Sequence, residues 1–372
     1  MSHDEREPPP FRGNRYRATL ALREWHARAP AEPVLEPGLP IVDAHHHLYG
    51  SAEDAHFYRV EDMAQDVASG HRVIGTAYVE AYQSAWRLDG PPGLRSLGEV
   101  EMIAALAARS LPTPHGPCQL AAAVVSNVDL TLADDAAPVL QAHLEAGQGR
   151  LRGVRHSAHH VAGRLGEVMG GRQRHLLSDA NFRRGLAHLG RWGLSFNASI
   201  FHTQIPELAE LADAFPNTPI ILNHLGTVLG VEEFSAQRAT VFADWRRAMR
   251  ALARRPNVWV KVGGMGMPIF GFGFEGQDRP ARSETLARAW QPFIDTCVDA
   301  FGTGRCMFES NFPVDKQSCG YVELWNAFKL ATRAFSADER SDLFHRTACR
   351  AYGLPALERL ASGEIMIHGA PL

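Results

Sequence analysis

The chain has 372 residues, 45% of them hydrophobic and 21% charged, so it can bury a large core as one big α/β domain or as two ordinary domains. The formal net charge of -3 gives no broad attraction to nucleic acid or to an anionic membrane, and it favours a small molecule as the partner. Five scattered cysteines argue against a disulfide framework. The charged N-terminus argues against a secretory signal, and the lack of a run of roughly 18 apolar residues argues against a membrane span. We therefore expect a soluble cytoplasmic protein.

Residues 1–40 are predicted to be an N-terminal extension that is mobile or wraps the surface. After them, short apolar or β-branched runs alternate with helical stretches, which indicates βαβ units and a parallel sheet. The longest predicted helices are Ser235–Arg255 and Ser283–Phe301, and Ser336-Ala-Asp-Glu339 is typical of a capping box that opens a last helix. Eight runs are predicted as strands: Ile41–His45, Val73–Glu80, Leu120–Ser126, Leu151–His156, Leu194–Ile200, Pro219–His224, Val258–Gly263 and Cys306–Ser310.

Eight strands, each followed by a helix, predict an α/β fold of one domain, a (β/α)8 TIM barrel over residues 41–355 with residues 356–372 as a C-terminal tail. The dinucleotide fingerprint G-x-G-x-x-G, which is typical of an open doubly wound sheet, does not follow the first strand. The chain also has no repeats at solenoid periods and no linker rich in Pro, Gly or Ser that would divide it.

Two connections that follow strands are unusually long, and in a barrel such segments lie on the catalytic face. One runs from Glu80 through Tyr82 and Trp86 to Asp89-Gly-Pro-Pro, and Trp86 is a candidate substrate contact on it. The other, Gly264–Phe274, combines glycines with aromatic residues. We interpret both as lids, and for the second a flexible surface loop is the alternative.

The segment Ile41-Val-Asp-Ala-His-His-His47 coincides with the first predicted strand. Alternation along a strand directs His45 and His47 to one side and His46 to the other. If that side is the barrel interior, the two imidazoles can hold a divalent ion or polarise a carbonyl, while other strands supply the remaining ligands. The alternative is a surface or tag-like run of histidines.

Further candidates end or follow other predicted strands. Arg155 directs a planar guanidinium toward the barrel mouth, where it suits a substrate carboxylate, and a structural ion pair is the alternative. Glu80 and Lys261 are candidates for substrate binding or for an ion pair with each other. The run His156-Ser-Ala-His-His160 is interpreted as a substrate-lining loop, with a second metal site as the less favoured alternative.

Five segments, in this order from the first strand to the eighth, resemble a known family. They are Asp43-Ala-His-His-His-Leu48, Gly153-Val-Arg-His156, Phe215-Pro-Asn-Thr-Pro-Ile-Ile-Leu-Asn-His-Leu-Gly226, Asn257-Val-Trp-Val-Lys-Val-Gly-Gly264 and Arg305-Cys-Met-Phe-Glu-Ser-Asn-Phe-Pro-Val-Asp315. Together they resemble the amidohydrolase superfamily, and specifically its amidohydrolase-2 group, which includes lactonases and decarboxylases. The resemblance implies a TIM-barrel enzyme.

The resemblance also implies roles for histidines. His224, at the end of the sixth strand, is similar to the family histidine that contacts metal, water or the substrate carbonyl, and a core histidine is the alternative. His202 lies just past the fifth strand, near the place of another histidine ligand in metal-using relatives, although a shift of two residues would move it away from the centre. The implied metal ligands are His45, His47, His202 and His224.

The eighth strand departs from the family pattern. Many relatives have Gly-Ser-Asp-Trp-Pro there, whose aspartate binds metal and accepts a proton from water, whereas this chain has Glu309-Ser-Asn311-Phe-Pro. Asn311 cannot act as a base and lacks the charge that holds a divalent cation. Glu309 lies two residues earlier on the same face and can supply the missing carboxylate.

The sequence and the resemblance therefore predict a hydrolase that acts on a carbonyl bond of a small carboxylated substrate, a lactone first and a cyclic amide second. His45, His47 and His224 would polarise the carbonyl. Glu309 or one of these histidines would accept the proton from water, and Asn311 would donate a hydrogen bond to the oxyanion. A metal-dependent non-oxidative decarboxylase is the alternative, and a non-catalytic ligand-binding barrel is the third hypothesis.

The cofactor stays open between one divalent metal, zinc first, and a metal-free site. Four histidines can bind zinc without an acidic ligand, but the missing aspartate weakens the usual site. A homodimer is the default expectation for the assembly, because exposed barrel helices often pair.

Overall fold

The computed structural model describes residues 11–81, 85–171 and 173–364. Within them, eight parallel strands pair in sequence order and form one nearly closed barrel, which confirms the predicted fold. The ends of the sheet meet where Asn311 N donates to His45 O at 2.8 Å and His47 N donates to Phe312 O at 2.8 Å. The strands are β1 (Ile41–His46), β2 (Val73–Val79), β3 (Gln119–Asn127), β4 (Leu151–Arg155), β5 (Ser195–Ala198), β6 (Ile220–Leu222), β7 (Val258–Val262) and β8 (Cys306–Phe308).

Helices cover the outside of the barrel, and none among the described residues is long and apolar enough to cross a membrane. The predicted capping box is present, because Ser336 Oγ accepts from Glu339 N and the Glu339 carboxylate accepts from Ser336 N. The helices are α1 (Thr19–His26), α2 (Val60–Val67), α3 (Leu97–Leu106), α4 (Ala136–Ala146), α5 (Gly163–Met169), α6 (Ala180–Arg191), α7 (Ile205–Ala214), α8 (Arg238–Leu252), α9 (Ser283–Phe301), α10 (Tyr321–Ala331), α11 (Ala337–Ser341), α12 (Thr347–Tyr352) and α13 (Pro355–Ser362).

The strands are almost wholly buried, since one face of each lies inside the barrel and the other lies under the helices. This explains why they are near-continuous apolar runs, such as Ile-Ile-Leu in β6, instead of alternating ones. On the outer face, Trp245 of α8 and Trp290 of α9 are fully buried, and Trp245 Nε1 donates to Leu225 O at 2.9 Å. That bond ties α8 to the segment that follows β6.

The described part of the N-terminal extension, residues 11–40, lies against the barrel and follows the surface-wrapping prediction. Trp25 of α1 is buried, and its Nε1 donates to Gln277 O at 2.8 Å. At the other end of the barrel, Leu357 of α13 packs against β2 so closely that a Cβ at Gly75 would lie 2.4 Å from its Cδ1. The domain boundaries at residues 40 and 355 remain predictions.

Candidate active site

A cavity of about 360 Å³, which we call the mouth cavity, opens at the carboxyl ends of the strands. Barrel enzymes place their active sites at this end, and the volume is in the range of small-molecule sites. Its lining combines predicted residues with others that follow different strands: Asn14, His47, Glu80, Asn127, Arg155, Ser157, His159, Met169, Gly170, Ser199, His224, Thr227, Met267, Asn311 and Val314.

The three histidines at the end of β1 and directly after it have the predicted alternation. His45 and His47 face the interior, and their Nε2 atoms lie 3.1 Å apart. His46 turns the other way, with Nε2 2.9 Å from Thr76 Oγ1. His47 also has its Nδ1 2.8 Å from Val79 O. All three side chains are buried.

Glu309 lies behind two of the site's imidazoles. Its Oε1 accepts hydrogen bonds from His224 Nδ1 at 2.7 Å and from His224 N at 3.2 Å, and its Oε2 lies 2.9 Å from His45 Nδ1. The approach depends on Gly264, which has a φ of +70° and where a Cβ would lie 2.5 Å from His224 Nδ1. Glu309 is fully buried and does not line the mouth cavity, so it acts on the cavity through the histidines.

These contacts determine where the imidazole protons lie. Val79 O can only accept, so neutral His47 carries its proton on Nδ1 and presents a lone pair at Nε2. Likewise, His224 donates from Nδ1 to Glu309 Oε1 and presents a lone pair at Nε2. The adjacent Nε2 atoms of His45 and His47 therefore need either one proton between them or one shared cation.

Burial is the main cause of the pKa shifts in this cluster. It raises the pKa of Glu309 to about 8, although the Lys261 ammonium acts in the opposite direction. It lowers the pKa of His45, His47 and His224 well below their usual value. It also lowers the pKa of Lys261 to about 7. The imidazoles are therefore neutral near pH 7. Glu309 becomes a carboxylate as the pH rises through about 8, so the His224–Glu309 pair becomes a better base over that range.

Asn311 follows β8 in the left-handed conformation, with a φ of 53°, and lines the mouth cavity. Its Nδ2 donates to Asp315 Oδ1 at 2.8 Å, and Asp315 Oδ2 accepts from Gly266 N at 2.7 Å. The amide is thereby fixed with a buried Oδ1 that has no hydrogen-bond partner within the described ranges. An unpartnered acceptor at this place is costly unless a ligand or water satisfies it.

Arg155 and Glu80 both line the mouth cavity, and they pair with each other. Arg155 Nε donates to Glu80 Oε1 at 2.6 Å, and Nη2 donates to Glu80 O. The predicted pair of Glu80 with Lys261 is wrong, because Lys261 Nζ instead lies 3.3 Å from His45 Nδ1. Arg155, at the end of β4, reaches Glu80 at the mouth from two strands away, whereas Lys261 lies deeper beside His45.

Besides His45, Lys261 and Glu309, which lie behind the cavity, three more predicted site residues are outside its lining. His202 Nδ1 accepts from Leu229 N at 3.3 Å, and its ring packs on Phe234. His156 Nδ1 accepts from Leu130 N at 3.0 Å. Trp86 Nε1 donates to Glu99 Oε2 at 3.2 Å. Tyr82, on the same predicted lid as Trp86, is outside the described residues.

Sequence reasoning missed the neutral polar residues of the lining. Asn127 and Ser199 directly follow or end strands, and that position was the signal available for them. Ser157 and His159, in contrast, lie in the run 156–160 that the sequence predicts as a substrate-lining loop. The second predicted lid reaches the cavity through Met267, and its Ile269 and Phe270 are buried.

One group of His and Glu side chains in the described part of the chain could hold a metal ion: His45, His224 and Glu309, whose ligand atoms lie within 4.8 Å of one another. His47 adjoins this group through the 3.1 Å contact between Nε2 atoms. His202, the fourth predicted ligand, is not part of it.

Residues 42–354 match the family model described as amidohydrolase. An uncharacterized protein of Sinorhizobium fredii, y4mH, is 39% identical over 171 residues, which are 46% of this chain and 51% of that protein. The chain therefore spans about half the length of this relative. An L-fucono-1,5-lactonase of Burkholderia multivorans is 31% identical over 236 residues, which are 63% of this chain and 72% of that enzyme.

A solved structure shares the architecture. The crystal structure of an amidohydrolase from Burkholderia multivorans with bound zinc superposes with a TM-score of 0.63 at 25% sequence identity. The alignment covers 85% of this chain and 99% of that chain. The similarity thus extends over the whole barrel of a relative that can hold zinc.

Proposed function

The chain belongs to the amidohydrolase family, and from that premise we propose that its mouth cavity hydrolyses the ester bond of a small lactone. The similarity to an L-fucono-1,5-lactonase supports this reaction. The observation that carries the proposal is the pairing of His224 with Glu309: a buried carboxylate holds Nδ1 at 2.7 Å, and the ring lines the cavity. Such a pair makes Nε2 a general base.

In the proposed reaction, His224 Nε2 takes one proton from a water molecule while the water oxygen attacks the lactone carbonyl carbon. The new C–O bond converts the carbonyl oxygen to an oxyanion, and Glu309 stabilises the imidazolium that forms. When the tetrahedral intermediate collapses, the ring C–O bond breaks and His224 returns its proton to the leaving oxygen. The product is an open hydroxy acid, and the histidine is regenerated.

Asn311 is suited to orient these species. Its buried Oδ1 can accept a hydrogen bond from the attacking water, and the second N–H of its Nδ2 can donate to the oxyanion. Because Asp315 fixes the amide, neither role requires the side chain to rotate during the reaction. An amide thus suits this place although it cannot be the base.

As an alternative to the metal-free reaction, the site also fits one divalent metal ion, which we propose as zinc. Nε2 of His45, His47 and His224 would hold it, and His224 would then be a ligand in place of the base. With its Nε2 lone pair used in this way, His45 would carry its proton on Nδ1 and donate to Glu309 Oε2, which otherwise has no hydrogen-bond partner within the described ranges. Glu309 would then orient two ligands from behind, an arrangement common around zinc. A bound zinc ion polarises carbonyl oxygens and lowers the pKa of water.

The cavity lining favours a neutral, hydroxylated lactone over the carboxylated substrate that the sequence suggested. The positive charge of Arg155 is matched by Glu80 at 2.6 Å, so no unpaired cation faces a carboxylate from this pair. Hydroxyl and amide groups of Asn127, Ser157 and Thr227 are suited to bind sugar-like hydroxyls. We therefore propose an aldonolactone as the substrate class.

The direct test is hydrolysis of lactones by the purified protein, followed as proton release in weak buffer with spontaneous opening subtracted. We expect L-fucono-1,5-lactone or a stereoisomer to reach a kcat/KM of about 10⁴ M⁻¹s⁻¹ or more. We expect 2-pyrone-4,6-dicarboxylate to react at least about tenfold more slowly, because the Arg155–Glu80 pair offers no unpaired cation to its carboxylates. Rates equal to the spontaneous background for every lactone would overturn the proposal.

Elemental analysis of the same preparation separates the remaining hypotheses. About one zinc ion per chain, with activity lost on chelation and restored by zinc, supports the ion-assisted form. Release of CO2 from an aromatic carboxylate, without lactone opening, would instead identify the metal-dependent decarboxylase. A folded protein that binds aldonolactones but turns over none of them would be the non-catalytic barrel.

A further inference from the structure

The mouth cavity has one lining residue from outside the matched family segment. Asn14 lines it, although the family match begins at residue 42. Asn14 is half-buried, whereas His47 and His224 are 2% and 5% exposed, so it lies at the rim and they lie on the floor. The N-terminal extension thus supplies a polar side chain to a site whose other lining residues belong to the barrel.

Contacts on both sides of Asn14 fix this part of the extension across the mouth. Phe11 N donates to Glu232 Oε1 at 2.7 Å on one side. On the other side, Arg17 N donates to Gln317 Oε1 at 2.8 Å, and Gln317 Nε2 donates back to Arg17 O at 2.9 Å. Glu232 follows β6 and Gln317 follows β8, so residues 11–17 cross the loop that follows β7. Asn14 is therefore held by the fold and not by its own segment alone.

The amide of Asn14 has a fixed orientation with one donor left for a ligand. Its Oδ1 accepts from Ile269 N at 3.1 Å, so Nδ2 is the opposite side of the amide. Nδ2 lies 3.7 Å from Met267 Sδ, which is a weak acceptor and can occupy one N–H at most. A carboxamide nitrogen carries two N–H groups, and the second has no acceptor within residues 11–81, 85–171 and 173–364, so it is available to a ligand in the cavity.

We propose that Asn14 is a substrate-binding and specificity-determining residue whose Nδ2 donates a hydrogen bond to an oxygen substituent of the lactone, remote from the ester. The inference rests on the proposed lactonase function and names a contact within it. A neutral donor at the rim recognises a hydroxyl or ether oxygen, and it gains little from a bare hydrocarbon ring. The extension then selects for hydroxylated lactones, while the barrel performs the hydrolysis.

The sharpest variant is Asn14→Asp, because a carboxylate still accepts from Ile269 N but has no N–H to donate. We expect KM for L-fucono-1,5-lactone to rise about fivefold to tenfold with kcat within about twofold, since one neutral hydrogen bond is lost in ground state and transition state alike. Asn14→Ala should raise KM similarly. KM for δ-valerolactone, which has no hydroxyl, should rise less, so the selectivity ratio between the two lactones falls.

Arg12→Ala is the matched control, because Arg12 is exposed on the same segment and does not line the cavity. It should leave the selectivity ratio and the melting temperature unchanged. An equal loss on both lactones in Asn14→Asp, with a lowered melting temperature, would show that Asn14 only stabilises the rim. An unchanged ratio in a stable Asn14→Asp protein would also overturn the inference.

A labelling experiment distinguishes failure of this inference from failure of the proposed function. The native cysteines are all buried, so Asn14→Cys adds one accessible thiol. We expect L-fuconate, the open product, to slow its reaction with iodoacetamide at least about threefold at saturation. Protection without any lactone turnover by the wild type would overturn the function but keep position 14 in the ligand site. Turnover without protection and without a change in selectivity would overturn the role of Asn14 alone.

Discussion

Two buried lysines at opposite ends of the barrel have similar pKa values and different surroundings. Burial lowers the pKa of both Lys261 and Lys329 to about 7. At the amino end of the strands, Lys329 Nζ has three hydrogen-bond acceptors, namely Leu35 O at 2.8 Å, Glu36 O at 2.9 Å and His71 Nδ1 at 2.8 Å. Below the mouth cavity, Lys261 Nζ has a hydrogen-bond contact of 3.3 Å to His45 Nδ1.

The number of hydrogen-bond acceptors distinguishes a structural cluster around Lys329 from a functional cluster around Lys261. Three acceptors match the three N–H groups of an ammonium, so the cluster around Lys329 is satisfied and ties the extension to α10. The cluster around Lys261 is less well satisfied within the described structure: Asn311 Oδ1 has no hydrogen-bond partner, and Glu309 Oε2 has only the contact of 2.9 Å to His45 Nδ1. Such atoms cost stability in the free protein and are useful only when a ligand, ion or water pairs with them.

The largest expected effect is that of Glu309→Gln on the mouth cluster. A glutamine amide offers His224 Nδ1 either a neutral acceptor or a donor, so it supports the imidazolium poorly or selects the wrong tautomer. We expect kcat for lactone hydrolysis to fall by about 10³-fold to 10⁴-fold, with the melting temperature changed little. Steady-state kinetics and a thermal melt on the same preparation check both.

A double variant tests whether the two residues act as a unit. His224→Gln should cost a similar factor in kcat, and Glu309→Gln combined with His224→Gln should be no slower than the slower single variant. Additive losses would mean that Glu309 acts elsewhere, for example through His45. A folded Glu309→Gln protein with a kcat within tenfold of wild type, about 1.4 kcal/mol, would contradict the proposed base.

The next effect contrasts the lysines directly by replacing each with methionine. Lys329→Met leaves two carbonyl oxygens and a histidine nitrogen without their donor, so we expect the free energy of unfolding to fall by about 3 kcal/mol while kcat of the folded protein is kept. Lys261→Met removes a poorly bonded buried charge, so we expect a change within about 1 kcal/mol. Urea denaturation measures both values.

In activity we expect the opposite order, with Lys261→Met affected more strongly than Lys329→Met. Without the Lys261 ammonium, the pKa of Glu309 rises further because burial is no longer offset, and the protonated carboxyl supports the His224 imidazolium less. We expect kcat of Lys261→Met to fall at least about tenfold near pH 7. If instead Lys261→Met were the strongly destabilised variant and Lys329→Met the inactive one, the assignment of the two clusters would be reversed.

The fold could be predicted because the order of the strands and their burial are both apparent from short apolar runs in the sequence. Each of the eight apolar runs is long enough for one buried parallel strand, and all eight predicted strands are present. Helix α8 begins at Arg238, three residues after the predicted start, because Glu232–Gln237 forms a 3-10 turn instead. Such boundary shifts arise from tertiary contacts, which single-chain propensities do not contain.

Site residues could be predicted where they lie at the ends of strands. Contacts between side chains of strands that are distant in the sequence could not be predicted. Period-two alternation placed His45 and His47 together. The choice of Arg155 as the partner of Glu80 depends on distances between β2 and β4 that no sequence spacing states. For Asn14 the contact spans 255 residues, to Ile269, so the chain offers no local signal for it.

The smallest effect concerns the pH dependence that His71 gives to the structural cluster. Burial lowers the pKa of His71 from its usual 6.5 to about 3, and the Lys329 ammonium adds to this shift. Between these two values the unfolded chain binds a proton that the folded chain does not, so the free energy of unfolding falls as the pH falls through this range. The full stability is present above pH 6.5.

The comparison of wild type with His71→Gln isolates this contribution, because other titrating groups cancel in the difference. Glutamine cannot titrate, and its side-chain oxygen can still accept from Lys329 Nζ. We expect wild type to lose about 2 kcal/mol more than the variant between pH 7 and pH 5 in urea denaturation. Equal losses would contradict this expectation, because they would mean that the folded cluster takes up a proton in this range. We do not expect such uptake, because the Lys329 ammonium beside His71 disfavours a second positive charge.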